Sequence, residues 1–371
     1  MSVVRAKRLD LFSYQDLNEQ QIENSEKNNK EIKNKANKLN SYPKRLVLEL
    51  TNACNLKCVM CGRDESEFNQ TFFDINLLKK FEEILASIEE VTLFGWGEPT
   101  MHPKFRDLLQ FFDKYPVKKY FVTNGMFLDK FADDIFENKV DIIAVSLDGA
   151  KSNTNNDIRL KSDFDKIKNN IDKLVAMKSQ RGLSYPYINF VMTLMKGNIK
   201  ELPEMVYLAK ELGVDEVKAV YLTAFSHEMS IKTLWEQKDR VREIFDETIA
   251  LGKKYNIKVK LPHIQGEDPA GNHSHKNCYV PWRDFFIGSD GFVRSCQSTS
   301  HKLFHHEAYE SFNDMWNSSE YQDFRNRVNN EEQMNDECRR CYQSSHANWN
   351  KKQSFIQCGE EFAPNWVRIK K

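Results

Sequence analysis

The sequence has little that would bring the chain to nucleic acid, into a membrane or out of the cell. Its 54 Lys and Arg residues balance 54 Asp and Glu residues, so the formal net charge is zero. A neutral chain lacks the overall positive field that attracts phosphate backbones and anionic membranes. No stretch approaches the roughly 20 apolar residues of a membrane span, and residues 1–12 lack the apolar run of a signal peptide. We therefore expect a cytoplasmic protein that binds neither nucleic acid nor membrane.

The eight cysteines need an explanation, because disulfides are rare in the cytoplasm. Three of them lie within residues 54–61, and the other five lie beyond residue 277. Metal binding is the leading explanation for clustered cysteines in such a protein.

Strand-like and helix-like segments alternate from residue 45 onward. The strand-like runs are 45–50, 91–95, 119–123, 140–147, 187–193 and 216–222. The helix-like stretches lie near 75–88, 104–114, 128–137, 163–179, 200–212 and 235–255. This alternation predicts parallel βαβ units. About six such units predict an α/β fold, a partial (β/α)6 barrel of TIM type, with its chemistry at the C-terminal ends of the strands.

Three segments are expected along the 371 residues. Residues 1–42 form a polar N-terminal arm, either a surface helix or a mobile segment, because they are too short and polar for a domain. The barrel occupies 43–262. A stretch with proline and glycine at 262–275 predicts the boundary to a small C-terminal domain of β-hairpin and helix, which with its tail occupies 263–371.

The first cysteine cluster follows the first predicted strand. Cys54, Cys58 and Cys61 have the spacing C-x3-C-x2-C within one loop. Ordinary iron–sulfur clusters use four cysteines, so three would leave one iron open to a small molecule. A zinc knuckle or buried thiols is the competing interpretation, but structural zinc sites normally take four ligands in C-x2-C pairs.

This spacing closely resembles the signature of the radical S-adenosylmethionine (SAM) superfamily. The resemblance implies a [4Fe–4S] cluster whose open iron binds the amino and carboxylate groups of SAM. It also implies that an electron from the cluster splits SAM into methionine and a 5′-deoxyadenosyl radical. A strong reductant is then needed, which implies a donor such as flavodoxin or ferredoxin.

The resemblance extends to strand ends beyond the cysteines, where it implies a set of SAM-binding residues: Gly95, Gly97, Glu98, Asn124, Ser146 and Arg159. Glu98 lies in a GWGEP segment similar to the glycine-rich turn that takes the SAM amino group. Ser146 resembles a ribose contact, and Arg159 lies where relatives place an arginine against the SAM carboxylate, a pairing that suits guanidinium geometry. Thr193 and Tyr221 are possible adenine-side positions. The alternative for each is a turn residue, a strand-end residue or a surface charge.

The second cluster consists of two cysteine pairs that together supply four thiolates: Cys278, Cys296, Cys338 and Cys341. The first pair flanks a predicted hairpin with a turn at 289–291, and the second pair is a C-x2-C motif. Four thiolates fill a [4Fe–4S] cluster or a zinc site. The arrangement resembles the Twitch and SPASM extensions of radical SAM enzymes, which carry auxiliary clusters, and its spacing fits the shorter Twitch form. Three interpretations are open for Cys358, a spare cluster ligand, a catalytic hydrogen donor or a buried thiol, and the buried thiol is the default. His301, His305 and His306 are too loosely spaced to indicate a metal site.

A complete auxiliary cluster has no open position, so its natural role is to accept an electron. Within the Twitch group the spacing is similar to that of the aminocyclitol dehydrogenase of butirosin biosynthesis. The leading hypothesis is therefore a dehydrogenase that oxidises a small polar alcohol, a sugar or a cyclitol. The alternative enzyme is a radical SAM maturase that modifies a peptide or protein side chain, and a third class is a non-catalytic cluster carrier. The sequence marks no catalytic base.

Overall fold

The computed structural model describes residues 17–63, 69–224, 227–264, 278–296, 301–330, 332–336, 338 and 339. Its strands are β1 Arg45–Leu48, β2 Lys57–Cys58, β3 Glu90–Leu93, β4 Lys118–Thr123, β5 Ile142–Ser146, β6 Arg159–Leu160, β7 Tyr187–Leu194, β8 Glu216–Tyr221, β9 Lys258–Lys260, β10 Asp284–Ile287, β11 Phe292–Arg294 and β12 Lys302–His305. Its α-helices are α1 Glu19–Asn34, α2 Phe105–Asp113, α3 Ala132–Glu137, α4 Ser152–Ile158, α5 Phe164–Gln180, α6 Leu202–Leu212, α7 His227–Ser230, α8 Lys238–Tyr255, α9 Val280–Arg283, α10 Phe312–Trp316 and α11 Ser319–Arg327. The predicted alternation of strands and helices is present.

The described residues fall into two compact units. The first unit contains residues up to 53, those between 69 and 120, and those from 278 to 339. The second unit contains residues 54–63 and those from 121 to 264. The chain passes from the first unit to the second within β4.

The first unit contains a mixed sheet with the strand order β12-β11-β10-β1-β3. Strand β1 pairs in parallel with both β3 and β10, so Leu46 lies opposite Val91 on one side and Phe285 on the other. Strands β10 and β11 form the hairpin predicted from the sequence, with an antiparallel register of Phe286 to Arg294. All residues of β1 and β10 are buried, as expected for parallel strands covered on both faces.

The N-terminal arm contributes a helix to this unit. Asn18 and Gln21 form a capping box at the start of α1. The buried face of α1 is polar, and its side chains bind backbone carbonyls: Gln21 donates to Ile88 at 2.7 Å and Asn28 donates to Trp282 at 2.6 Å. Because these buried positions are occupied by amides, the sequence showed no apolar stripe there.

The second unit contains a parallel sheet with the order β5-β7-β8-β9. Helices α5, α6 and α8 connect its strands, and α6 packs against both α5 and α8. A separate two-stranded ribbon pairs β2 with β6, so Cys58 lies opposite Arg159. The ribbon ties the cysteine-bearing loop to the segment that follows α4.

None of the described helices has the length and apolar character to cross a membrane.

Candidate active site

The cysteine loop, residues 54–61, belongs to the second unit. Its three cysteines are half-buried. The loop is shaped by its own backbone, since Cys61 N–H donates to the Cys58 carbonyl at 3.0 Å and Leu56 N–H points to the Cys54 sulfur at 3.5 Å. Burial raises the pKa of the Cys58 thiol to about 11. The Arg159 charge opposes this rise, whereas Cys54 and Cys61 add to it. Three cysteines in one loop, one of them with a thiol that is costly to ionise without a cation, fit a set of iron ligands.

Arg159 connects this loop to the end of strand β5. Its guanidinium Nη1 lies 3.8 Å from the Cys58 sulfur, and its Nε lies 2.7 Å from a carboxylate oxygen of Asp148. Arg159 is 8% exposed and Asp148 is fully buried. The guanidinium is therefore held in a defined orientation beside the cysteine loop.

Asp148 is a residue that the sequence analysis did not select. It follows Ser146 by two positions and accepts the backbone N–H of Thr193 at 2.6 Å. Asn198 donates to the Asp148 and Thr193 carbonyls at 2.9 and 2.8 Å. The ends of β5 and β7 are thus joined through one carboxylate. An acidic residue right after a buried strand was the signal that could have identified it.

Asn124 and Ser146 lie in the same unit as the cysteine loop. The Asn124 side chain donates to Asn55 inside the loop at 2.8 Å and accepts from Met126 N–H at 3.0 Å. Asn124 is buried, and its contact with the loop explains why an amide follows β4. Ser146 is half-buried at the last position of β5. Thr193 and Tyr221 lie near the ends of β7 and β8, as the sequence indicated.

The GWGEP turn, residues 95–99, follows β3 in the first unit. Its backbone lies against the segment that leads to the first cysteine, because Gly97 N–H donates to the Thr51 carbonyl at 3.1 Å and Glu98 N–H donates to the Ala53 carbonyl at 2.8 Å. A side chain at Gly97 would collide with those same two carbonyls. Glycine is therefore required here by the close approach of two backbones.

Glu98 is buried, and its carboxylate begins a short 3₁₀ helix, Pro99–Met101. Oxygen Oε1 accepts the Thr100 hydroxyl at 2.6 Å and the Thr100 N–H at 3.3 Å. The carboxylate is the N-cap of that helix, which stiffens the turn. Its proposed contact with the SAM amino group remains a prediction.

Glu49, at the carboxyl end of the first strand segment, is a second buried carboxylate that the sequence analysis passed over. It accepts Trp96 N–H from the GWGEP turn at 2.8 Å and the Ser289 hydroxyl at 3.0 Å. Burial raises its pKa, although Arg294 and the hydrogen bonds oppose that effect. An acidic residue in the otherwise apolar run LVLEL was the signal available in the sequence.

The auxiliary cysteines lie in the first unit. Cys278, Cys296 and Cys338 are half-buried. Asn329 forms two hydrogen bonds with the Cys278 backbone, at 2.7 and 3.0 Å. Soft sulfur donors fit an iron–sulfur cluster or zinc. The remaining predicted ligand, Cys341, lies outside the described residues, as does Cys358.

One further group of metal-type ligands occurs among the described residues. The ligand atoms of His305, His306 and Glu307 lie within 4.8 Å of one another. The Lys80 ammonium, however, donates to the His306 carbonyl at 3.1 Å. Burial lowers the pKa of the His306 imidazole, and the charge of Lys80 lowers it further. A neighbouring ammonium opposes a bound cation, so this group is assigned no metal.

Two family models match the chain. The Radical SAM superfamily matches residues 48–209, and the SPASM iron–sulfur cluster-binding domain matches residues 278–342. The predicted fold class is confirmed: an α/β partial barrel is followed by a C-terminal cluster-binding domain. The predicted cofactors, a SAM-binding [4Fe–4S] cluster, SAM and auxiliary iron–sulfur, are those of the two matched families. The C-terminal match is to SPASM, the larger of the two extensions considered.

Three curated relatives show the similarity at the level of sequence. The tungsten-containing aldehyde ferredoxin oxidoreductase cofactor-modifying protein of Pyrococcus furiosus is 28% identical over 60% of this chain and 63% of its own length. The mycofactocin maturase MftC of Mycolicibacterium smegmatis is 25% identical over 70% of this chain and 65% of its own length. A probable GTP 3′,8-cyclase of Sulfurisphaera tokodaii is 30% identical over 59% of this chain and 67% of its own length. The chain thus spans somewhat less than two thirds of the first two relatives.

Solved structures of Streptococcus suis SuiB share the fold. SuiB bound to S-adenosylmethionine has a TM-score of 0.62, with 18% identity over 82% of this chain and 70% of SuiB. SuiB bound to the precursor peptide SuiA has a TM-score of 0.58, with 17% identity over 80% of this chain and 69% of SuiB.

These comparisons overturn the leading hypothesis about the substrate. The hypothesis of a dehydrogenase for a sugar or cyclitol is wrong, because the relatives include a named maturase and a cofactor-modifying protein. The physical reason for the error is that a four-cysteine cluster can accept an electron from many kinds of substrate radical. The ligand spacing therefore carries no information about the substrate.

Proposed function

We propose that this chain, which belongs to the radical SAM superfamily, is a maturase that modifies a peptide or protein side chain. The observation that carries the proposal is the alignment with mycofactocin maturase MftC, which extends over 274 residues and 70% of the chain. The order of a radical SAM match and a SPASM match along the chain supports it. A precursor peptide bound to the similar fold of SuiB is consistent with a peptide substrate.

The proposed ligands of the first cluster are Cys54, Cys58 and Cys61. In the second unit, Asn124, Ser146 and Arg159 are the proposed SAM contacts. In the first unit, the GWGEP turn is the proposed SAM contact. The auxiliary cluster has the proposed ligands Cys278, Cys296, Cys338 and Cys341. When bound, the first cluster and SAM supply hydrogen-atom abstraction from an unactivated C–H bond.

The protein's own groups prepare this chemistry by orientation and charge. The buried guanidinium of Arg159 lies beside the Cys58 sulfur and favours its thiolate over the thiol. Asp148 holds that guanidinium in place through its ion pair. Asn124 holds the cysteine loop from the end of β4 through Asn55. The electron that the first cluster needs would come from a low-potential donor such as flavodoxin or ferredoxin.

A direct test uses the purified, reconstituted enzyme without oxygen. The probes are synthetic peptides encoded by short reading frames beside the gene, compared with a panel of sugars and cyclitols. Each is incubated with SAM and dithionite, and 5′-deoxyadenosine and the mass of the probe are measured.

The proposal predicts that one of the peptides stimulates 5′-deoxyadenosine formation and changes mass. A Cys58→Ala variant serves as the control and should leave every peptide unmodified, because the cluster then lacks a ligand. Stimulation by a sugar or cyclitol together with inert peptides would contradict the proposal.

A further inference from the structure

The carboxylate of Glu49 lies between two turns of the first unit. Glu49 is 4% exposed and follows strand β1 directly. Its Oε2 accepts the Trp96 N–H of the GWGEP turn at 2.8 Å. Its Oε1 accepts the Ser289 hydroxyl at 3.0 Å and lies 3.4 Å from the Ser289 N–H. One buried side chain thus binds two segments that are far apart in the sequence.

The GWGEP turn packs tightly against the Glu49 side chain. A Cβ at Gly95 would collide with the Glu49 side chain, so the turn lies directly against it. Further along the turn, Gly97 and Glu98 donate their N–H groups to the Thr51 and Ala53 carbonyls. Glu49 therefore sets the position at which the turn begins, and the backbone of residues 51–53 sets the position at which it continues.

On the other side lies the SDG turn, residues 289–291, which joins strands β10 and β11. Ser289 is buried, and its hydroxyl also lies 2.7 Å from the Thr71 hydroxyl. Strand β11 leaves this turn and leads to Cys296, one of the proposed auxiliary ligands. The position of the hairpin that carries this cysteine therefore depends on the Glu49 carboxylate.

A carboxylate suits this position better than any other side chain of its size. It offers two acceptor oxygens, one for each turn, whereas the amide of glutamine offers a single oxygen and a donor in place of the other. Aspartate has the two oxygens but is one methylene shorter, so it would not reach both turns. Burial raises the pKa of Glu49, and the charge of Arg294 opposes that rise.

We propose that Glu49 is a positioning residue that couples the SDG turn to the GWGEP turn, so that SAM binding depends on the Ser289 hydroxyl. This inference rests on the proposed contact between the GWGEP turn and SAM, and it is independent of the substrate. Ser289 belongs to the hairpin of the SPASM domain and contributes through Glu49. The SAM site and the auxiliary hairpin would then share a single buried acceptor.

The test measures the KM for SAM of the reconstituted holoenzyme as it cleaves SAM with dithionite in the absence of peptide. Three variants are compared with the wild type: Glu49→Gln, Ser289→Ala and the double variant. Glu137→Gln and Ser179→Ala, at exposed helical positions, are the matched controls. Iron content and thermal unfolding are recorded for each variant to separate loss of folding from loss of positioning.

We expect Glu49→Gln to raise the KM by about tenfold, since one of the two acceptor oxygens of this buried side chain is lost. Ser289→Ala should raise it by about threefold, and Ser289→Thr, which keeps the hydroxyl, should restore it. The double variant should match Glu49→Gln within about twofold, because coupled residues are non-additive. Iron content should stay unchanged.

The inference is overturned if Ser289→Ala has the wild-type KM, or if the two changes multiply in the double variant. If Glu49→Gln fails to fold, the comparison of Ser289→Ala with Ser289→Thr shows whether the KM depends on that hydroxyl. Thr71→Ala, which removes the other partner of the hydroxyl, should then leave the KM unchanged, and a KM raised as in Ser289→Ala would overturn the inference. Since the assay contains no peptide, a failed search for a peptide substrate leaves this result standing. A normal KM with correct peptide modification would reject the coupling and retain the proposed function.

Discussion

Arg159 and Asp148 form a buried ion pair of 2.7 Å in the second unit, with the Cys58 sulfur 3.8 Å from the same guanidinium. The pair links the end of strand β5 to the cysteine loop. Neither residue has enough exposure to be solvated alone, because Arg159 is 8% exposed and Asp148 is fully buried. The order of the proposed cluster site therefore depends on both.

Replacing Asp148 by Asn should destabilise the protein strongly. The change leaves the Arg159 charge buried without its partner, which typically costs about 3–5 kcal/mol. Asp133→Asn is the matched control, because Asp133 pairs with Arg181 at an exposed site, where an ion pair contributes less than about 1 kcal/mol. Unfolding of both variants in guanidinium chloride, without the cofactors, measures the difference in their free energies of unfolding. Equal stabilities of the two variants would show that the pair does not hold the fold here.

Replacing Gly97 by Ala should impair SAM binding more than it impairs the folding of the rest of the chain. The new methyl group would meet the carbonyls of Thr51 and Ala53, so the GWGEP turn must move. Gly197→Ala is the control, because that position has open space around it. We expect the KM for SAM to rise at least about tenfold in Gly97→Ala, since two backbone hydrogen bonds are disturbed. A wild-type KM would place SAM away from this turn.

His102 should make the protein less stable in mild acid. Its Nε2 lies 2.9 Å from the Phe73 carbonyl and its Nδ1 accepts Lys104 N–H at 3.1 Å, so the neutral ring uses both nitrogens. Burial lowers the pKa of His102 below its usual 6.5. The unfolded chain then binds a proton that the folded chain does not, and stability is lost as the pH falls below 6.5.

His102→Asn is the variant that tests this point. The Asn oxygen can accept Lys104 N–H and does not titrate. The variant should be less stable than the wild type near pH 8, and the difference should shrink as the pH falls below 6.5. Urea unfolding at a series of pH values measures it. Parallel pH profiles for the two proteins would mean that His102 does not contribute to the acid sensitivity.

The iron content of the reconstituted protein should correspond to two clusters. Each [4Fe–4S] cluster adds four iron atoms, so the reconstituted chain should hold about eight. The triple change of Cys54, Cys58 and Cys61 to Ala should lower the content by about half. About four iron atoms and one zinc in the wild type would instead assign zinc to the C-terminal cysteines.

Local sequence patterns predicted the secondary structure and the cysteine ligands. The spacing of Cys54, Cys58 and Cys61 indicated the cluster loop, and the apolar periodicity of 200–212 indicated helix α6, observed at Leu202–Leu212. The stretch near 75–88 was predicted as helix and contains a 3₁₀ helix, Ile75–Ile84.

Long-range pairing was not visible in the sequence. Strand β10 lies beside β1, although the two are more than 230 residues apart, because the register depends on partners that a local pattern does not contain. Glu49, Asp148 and Asn55 were overlooked for the same reason: each acts through a buried partner from another segment. The substrate was mispredicted because a filled cluster accepts an electron from any suitable radical.

The central claim, radical chemistry on a peptide, is tested most directly by hydrogen transfer. A precursor peptide, identified by its mass change and deuterated throughout, is incubated with the reconstituted enzyme, SAM and dithionite, and the 5′-deoxyadenosine is analysed by mass spectrometry. The account predicts that deuterium from the peptide appears in 5′-deoxyadenosine in step with peptide modification, and that the Cys58→Ala variant shows neither. If the 5′-deoxyadenosine contains no deuterium while the peptide is nevertheless modified, the peptide is not the hydrogen donor and the account is contradicted.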